Sequence, residues 1–85
     1  MFFVYILKSK KDKSLYTGYS NDLRKRFKEH NLGLVYSTKS RKPFYLVYYE
    51  AYLEKQDAVN REHNLKLRAK ALRQLKIRIK TSLQA

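Results

Sequence analysis

The chain opens on an apolar run, Phe2-Phe3-Val4-Tyr5-Ile6-Leu7, that stops at Lys8. Aromatic and branched side chains in such a run predict a buried strand over residues 2–8. Lys8-Ser9-Lys10-Lys11-Asp12-Lys13 is polar and turn-like, and Ser14-Leu15-Tyr16-Thr17-Gly18-Tyr19 has the composition of a second strand. Together they predict a β-hairpin over 2–19. Ser20, Asn21 and Asp22 offer N-caps for a helix to about His30, with Gly33 beyond its end. Asn31 to Lys42 is a polar, basic loop closed by Pro43, and Phe44-Tyr45-Leu46-Val47-Tyr48-Tyr49 is the third strand. Helices are predicted over 54–66 and 69–82. The order ββαβαα describes one α+β domain over 1–85, a three-stranded antiparallel sheet packed by helices.

At about 100° per residue, Leu72, Leu75, Ile79 and Leu83 share one narrow face of the last helix, as core residues do. Arg73, Lys76 and Lys80 form a neighbouring stripe that suits phosphates, or simply solvation. Ile77 lies off the apolar face. On the helix over 54–66, Ala58, Val59, Leu65 and the stem of Lys66 share a face, and Glu62 lies near its middle.

Charge narrows the partner. Twenty Lys plus Arg stand against seven Asp plus Glu, a formal +13. A polyanion is the natural counterpart, since each phosphate contact releases counterions. Apolar residues make up 44% of the chain, enough for a modest core. With no cysteine, disulfides and thiolate metal sites are excluded, and two histidines, His30 and His63, make a zinc site a poor fit. Two glycines, Gly18 and Gly33, cannot build a phosphate-binding glycine loop or a dinucleotide fingerprint, and no nucleophile elbow is present. The apolar start is too short to span a bilayer and nothing resembles a signal peptide, so a cytoplasmic location is the expectation.

Three sets of residues carry chemistry. A carboxylate at Glu62, among apolar neighbours, needs a cation, a metal or a proton. A lone carboxylate with water and phosphate oxygens suits Mg²⁺; the plainer alternative is a salt bridge to one of the many basic residues. Arg26 and His30 form an i, i+4 pair beside Leu23 and Phe27, the buried face of the first helix. An arginine there can clamp a phosphate, although a histidine beside an apolar stripe is more usually a packed side chain donating one hydrogen bond. Tyr5 and Tyr16 fall opposite each other if the hairpin turn centres near Lys10-Lys11. They are either amphipathic packing or, with a lowered pKa, acceptors of a proton from a metal-bound water. Tyr45, Tyr48 and Tyr49 read as strand packing.

In this order, the residues resemble the GIY-YIG nuclease domain, in its small stand-alone form related to the N-terminal incision domain of the excision-repair endonuclease. Phe3-Val4-Tyr5 corresponds to the first half-motif and Tyr16-Thr17-Gly18 to the second. Asp22 to His30 is similar to the family's arginine helix. Further matches are Ser37-Thr38-Lys39, Arg41-Lys42-Pro43, Leu46-Val47-Tyr48-Tyr49-Glu50, and Ala58 with Arg61-Glu62 and Leu65-Lys66. The resemblance covers about residues 3–80.

It implies a hydrolytic endonuclease acting on DNA, in repair or recombination, with one divalent metal ion, Mg²⁺ or Mn²⁺, held by Glu62. Arg26 would neutralise phosphoryl charge, Tyr5 or Tyr16 would help deprotonate the attacking water, and His30 would orient that network. Lys39, Arg41, Lys66, Arg73, Lys76 and Lys80 are the expected nucleic-acid contacts. DNA is the expected partner, with RNA as the other polyanion, and neither a membrane nor a small-molecule cofactor is expected. The rival is a non-catalytic basic module that binds DNA or RNA. A basic helix over 66–80 lying on an anionic membrane fits less well, because its apolar face is needed for the core.

Overall fold

The computed structural model describes residues 1–85. Its elements are β1 (Phe2–Ser9), β2 (Leu15–Ser20), α1 (Leu23–Asn31), β3 (Phe44–Tyr52), α2 (Lys55–Leu67) and α3 (Ala69–Arg78), with short 3₁₀ turns at Lys39–Arg41 and Ser82–Gln84. The order is ββαβαα, and the sheet is three-stranded and antiparallel in spatial order β2-β1-β3.

As the central strand, β1 is buried on both faces, which is why its sequence is apolar without alternation. Val4 and Ile6 pack with Ala58 and Leu65 of α2, Leu75 of α3 and Ile79. Tyr5 and Leu7 point the other way, with Phe44, against Leu23 and Phe27 of α1. Each large aliphatic side chain in the first cluster contributes about 1.5–3 kcal/mol by leaving water. That burial fixes α2, and Glu62 with it, against the β1–β2 side of the sheet.

The hairpin register differs from the expected one. Tyr5 pairs with Gly18, and Tyr16 pairs with Leu7. The turn centres between Lys11 and Asp12, because the Ser9 hydroxyl accepts from the Lys11 and Asp12 amides, each at 3.1 Å, while Ser9 N–H donates to Ser14 at 2.8 Å. Tyr5 and Tyr16 are therefore diagonal neighbours. A slip of two residues keeps both on one face, whereas a slip of one would have parted them.

The α1 helix begins at its Asp22 cap, whose carboxylate accepts from Lys25 N–H at 3.1 Å. Gly33 follows its end at φ 77°, the left-handed conformation that glycine adopts without strain. β3 extends three residues past the expected Tyr49, because Glu50, Ala51 and Tyr52 pair with Val4, Phe3 and Phe2. α3 ends at Arg78, not 82, as Ile79 leaves helical geometry. The 3₁₀ turn keeps Leu83 on the core, while Leu72 is only half-buried. Lys80 thus lies beyond the helix, and the proposed basic stripe is broken after Lys76. Ile77 is 70% exposed, in keeping with its place off the apolar face. No helix is long and apolar enough to cross a membrane.

Candidate active site

The site lies where α1, the loop after it and α2 meet the β1–β2 hairpin. Its floor is Tyr5, which is 1% exposed, and its ring lies across Gly18. A Cβ at position 18 would sit 2.3 Å from Tyr5 Cζ and 2.4 Å from its hydroxyl oxygen, so only glycine admits the ring there.

The Tyr5 hydroxyl and His30 Nε2 are 2.9 Å apart, and His30 Nδ1 is 2.7 Å from Thr38 Oγ1. Thr38 in turn donates to the Val35 carbonyl at 3.4 Å. His30 and Thr38 are wholly buried. The His30 ring also stands 5.1 Å from the Tyr16 ring, and the two tyrosine rings are 6.4 Å apart. His30 is thus both the packed core side chain and a member of a polar network, with both ring nitrogens engaged.

Burial pulls His30 down to about 4, reinforced by the Arg26 and Arg41 charges and opposed by Glu29, so its imidazole is neutral at pH 7. Burial pushes the Tyr5 hydroxyl up to about 12, with Tyr16 adding to the rise and the Arg26 guanidinium beside it opposing. A lowered phenol pKa is therefore not what Tyr5 has. Burial also opposes the charge on Arg26, but the Glu29 carboxylate, 3.3 Å away, and the Tyr5 hydroxyl outweigh it.

Tyr16 is half-buried and marks the rim of the site. The Arg41 guanidinium lies 5.9 Å from its ring centre and the Lys66 ammonium 5.7 Å. Lys66 pairs with Glu62 Oε2 at 3.1 Å, and the Glu62 carboxylate is near enough to Tyr5 to disfavour charge on it. Tyr5, Tyr16, Arg26 and His30 thus share one neighbourhood, which Glu62 enters from the β2 edge. A shallow groove of about 660 Å³ opens beside Arg26, lined also by Lys25 and Lys55 but by none of the other four.

The ion-pair alternative for Glu62 is realised, but weakly: an i, i+4 surface pair contributes about 0.3–0.5 kcal/mol. Lys66 is exposed, and its stem does not share the core with Ala58 and Leu65. No three His, Asp or Glu side chains gather into a metal-binding group. One carboxylate, 23% exposed and held by an easily displaced lysine, fits a hard dication that keeps water ligands and takes others from a phosphate.

Of the expected nucleic-acid contacts, Arg41 and Lys66 flank Tyr16, whereas Lys39 lies beside the exposed Tyr36, 5.1 Å from its ring centre. Arg73 and Lys76 are exposed on α3, which packs with α2 on the other face of the sheet, and Lys80 follows it. Two further residues near these basic groups are not marked by spacing. Thr38 lies within the matched tripeptide Ser37-Thr38-Lys39, and Tyr36, 86% exposed, carries no periodic signal because it sits in a loop.

Residues 1–76 match the family model described as the GIY-YIG catalytic domain. The chain belongs to the GIY-YIG family. Among its relatives, a UPF0213 protein of Staphylococcus aureus is 47% identical over 79 residues, 89% of this chain and 95% of that protein. A UPF0213 protein of Clostridium perfringens is 49% identical over 67 residues, 78% of this chain and 71% of its own length. The solution structure of a UPF0213 protein from Bacillus halodurans is 40% identical, with a TM-score of 0.55 over 88% of this chain and 82% of that one.

Proposed function

We propose that this GIY-YIG protein is a metal-dependent endonuclease hydrolysing phosphodiester bonds in DNA, choosing its substrate by structure and acting in repair or recombination. Kinship with the incision domain of the excision-repair endonuclease belongs to the same proposal. What carries it is that Glu62 and Tyr16 flank the same Lys66 ammonium, 3.1 Å from the carboxylate and 5.7 Å from the ring centre, near Arg26 and the Tyr5–His30 pair.

Tyr16 is the phenol that water can reach, since Tyr5 is closed off beneath it. As the phenolate, its oxygen accepts a hydrogen bond from the attacking water and takes up that proton, becoming the phenol, as the new P–O bond forms and the P–O bond to the leaving oxygen breaks. Arg26, with part of its guanidinium open to the adjoining groove, neutralises the charge growing on the phosphoryl oxygens. Glu29 holds that arginine at 3.3 Å, and the Tyr5 hydroxyl lies near its charge. Bound at Glu62, a divalent ion, Mg²⁺ or Mn²⁺, supplies charge neutralisation at the scissile phosphate and the leaving oxygen. Lys39, Arg41 and Lys66 hold the backbone, and exposed Tyr36 offers a face for an unpaired base.

The second reading, a binding module without catalysis, is favoured by the ion pair that already occupies Glu62. Incubation with labelled branched, nicked, single-stranded and duplex DNA, and matching RNA, separates the two. Nicked product with Mg²⁺ or Mn²⁺ and none with EDTA is expected of the enzyme; salt-sensitive binding without product in any metal marks the module.

A further inference from the structure

The buried chain Tyr5–His30–Thr38–Val35 has a direction that its end groups dictate. The Val35 carbonyl can only accept, and the Arg26 guanidinium, bonded to Glu29 and near enough to Tyr5 to favour charge on its oxygen, can only donate. The Tyr5 hydroxyl is buried, and His30 Nε2 is its hydrogen-bond partner. If Nε2 carried the proton, both His30 and Arg26 would aim donors at the Tyr5 oxygen, and the phenol hydrogen would have no acceptor inside the protein. The opposite assignment satisfies every group: Tyr5 donates to Nε2, Nδ1–H donates to Thr38 Oγ1, and Thr38 donates to Val35. No buried side-chain polar atom is left without a partner.

We propose that Thr38 is a positioning residue: by accepting from His30 Nδ1–H it commits the Tyr5 hydrogen inward and turns the Tyr5 lone pairs toward Arg26, holding the guanidinium for the phosphate. Thr38 touches no substrate, and its effect passes through three side chains. The proposal rests on the nuclease reading for its functional consequence, but not for the direction of the chain.

Thr38→Val keeps the volume and removes the acceptor. His30 then holds its proton on Nε2, which donates to Tyr5, and the Tyr5 hydrogen turns outward against Arg26, donor facing donor. Thr38→Ser restores the hydroxyl.

The test is long-range ¹H–¹⁵N NMR of the His30 ring at pH 7, with exposed His63 as internal reference, beside single-turnover DNA cleavage in Mg²⁺. Wild type and Thr38→Ser are expected to show a protonated Nδ1 and a bare Nε2, and Thr38→Val the reverse. Cleavage by Thr38→Val should fall about 10- to 100-fold in rate at saturating DNA with unchanged DNA affinity, the size of effect that partners of functional histidines carry, and Thr38→Ser should recover it. A wild-type ring protonated at Nε2, or a Thr38→Val ring and cleavage rate like wild type, overturns the proposal. So does a loss of cleavage in both variants with the tautomer unmoved, which marks a merely structural threonine. If wild type cuts nothing in any metal, the nuclease reading fails, while the ring nitrogens still decide the direction of the chain.

Discussion

The Tyr5 hydroxyl and the His30 imidazole are hydrogen-bonded in a buried pocket that disfavours charge on either of them. Their hydrogen bond, 2.9 Å between Oη and Nε2, is sealed from solvent. Burial is the chief cause of the depressed imidazole pKa and of the raised phenol pKa. Both are neutral across the physiological range, so the floor of the site is an uncharged, directional network under a cationic rim.

That neutrality has a pH signature. His30 titrates near 4 in the folded chain and near 6.5 unfolded. The unfolded chain binds the extra proton first, so the contribution of His30 is complete above pH 6.5 and lost progressively as pH falls to about 4. The loss amounts to at most about 3 kcal/mol. Tyr5 acts at the other end, its contribution intact below pH 10 and lost as pH rises toward 12. Urea unfolding of wild type and His30→Phe from pH 7.5 to 4 checks the acid limb: the variant should lose less stability over that window. Parallel curves would show that other groups set the acid limb.

Gly18 is expected to resist substitution. In Gly18→Ala the new methyl would lie on the Tyr5 ring, so the ring or the hairpin must move. Overpacking of this kind costs about 1–3 kcal/mol. A lower urea midpoint together with slower cleavage is expected, whereas an unchanged midpoint would show that the ring is not confined.

These two predictions rest on features of unequal visibility in the sequence. Tyr5 and Tyr16 were placed on one face because strand parity survives a two-residue slip, even though the Ser9 hydroxyl moved the turn. His30 followed from helical spacing to Leu23 and Phe27. Glu62 stood out on the face of Ala58 and Leu65, but nothing in its spacing could choose Lys66 from the other cations. Thr38 and Tyr36 lie in a loop whose course depends on tertiary closure, where no periodicity separates an inward side chain from an outward one. The end of α3 is hidden in the sequence because Ile79 and Leu83 remain on the core after the helix has given way to a turn.

Arg26 should tolerate no replacement, lysine included. A planar guanidinium reaches Glu29, Tyr5 and a phosphate from one position, which an ammonium cannot do. Arg26→Lys and Arg26→Ala are each expected to slow single-turnover cleavage about 100-fold or more, with DNA affinity changed only a few-fold. A lysine variant at wild-type rate would reduce Arg26 to a general positive charge.

Tyr36 should matter for unpaired bases only. Its exposed ring beside Lys39 suits stacking, which contributes about 1–3 kcal/mol per base. Tyr36→Ala is expected to weaken binding of single-stranded DNA about 5- to 100-fold and leave duplex binding nearly unchanged, with Tyr36→Phe like wild type. Equal losses on both substrates would point to a backbone contact.

Glu62→Ala tests the nuclease most directly. The side chain's one ion pair is a weak surface contact, so the variant should fold and bind DNA as wild type does. With Mg²⁺ or Mn²⁺ and a nicked or branched DNA that wild type cuts, its product should drop to the level seen in EDTA. Undiminished cleavage by Glu62→Ala would contradict a metal-bearing carboxylate at this position.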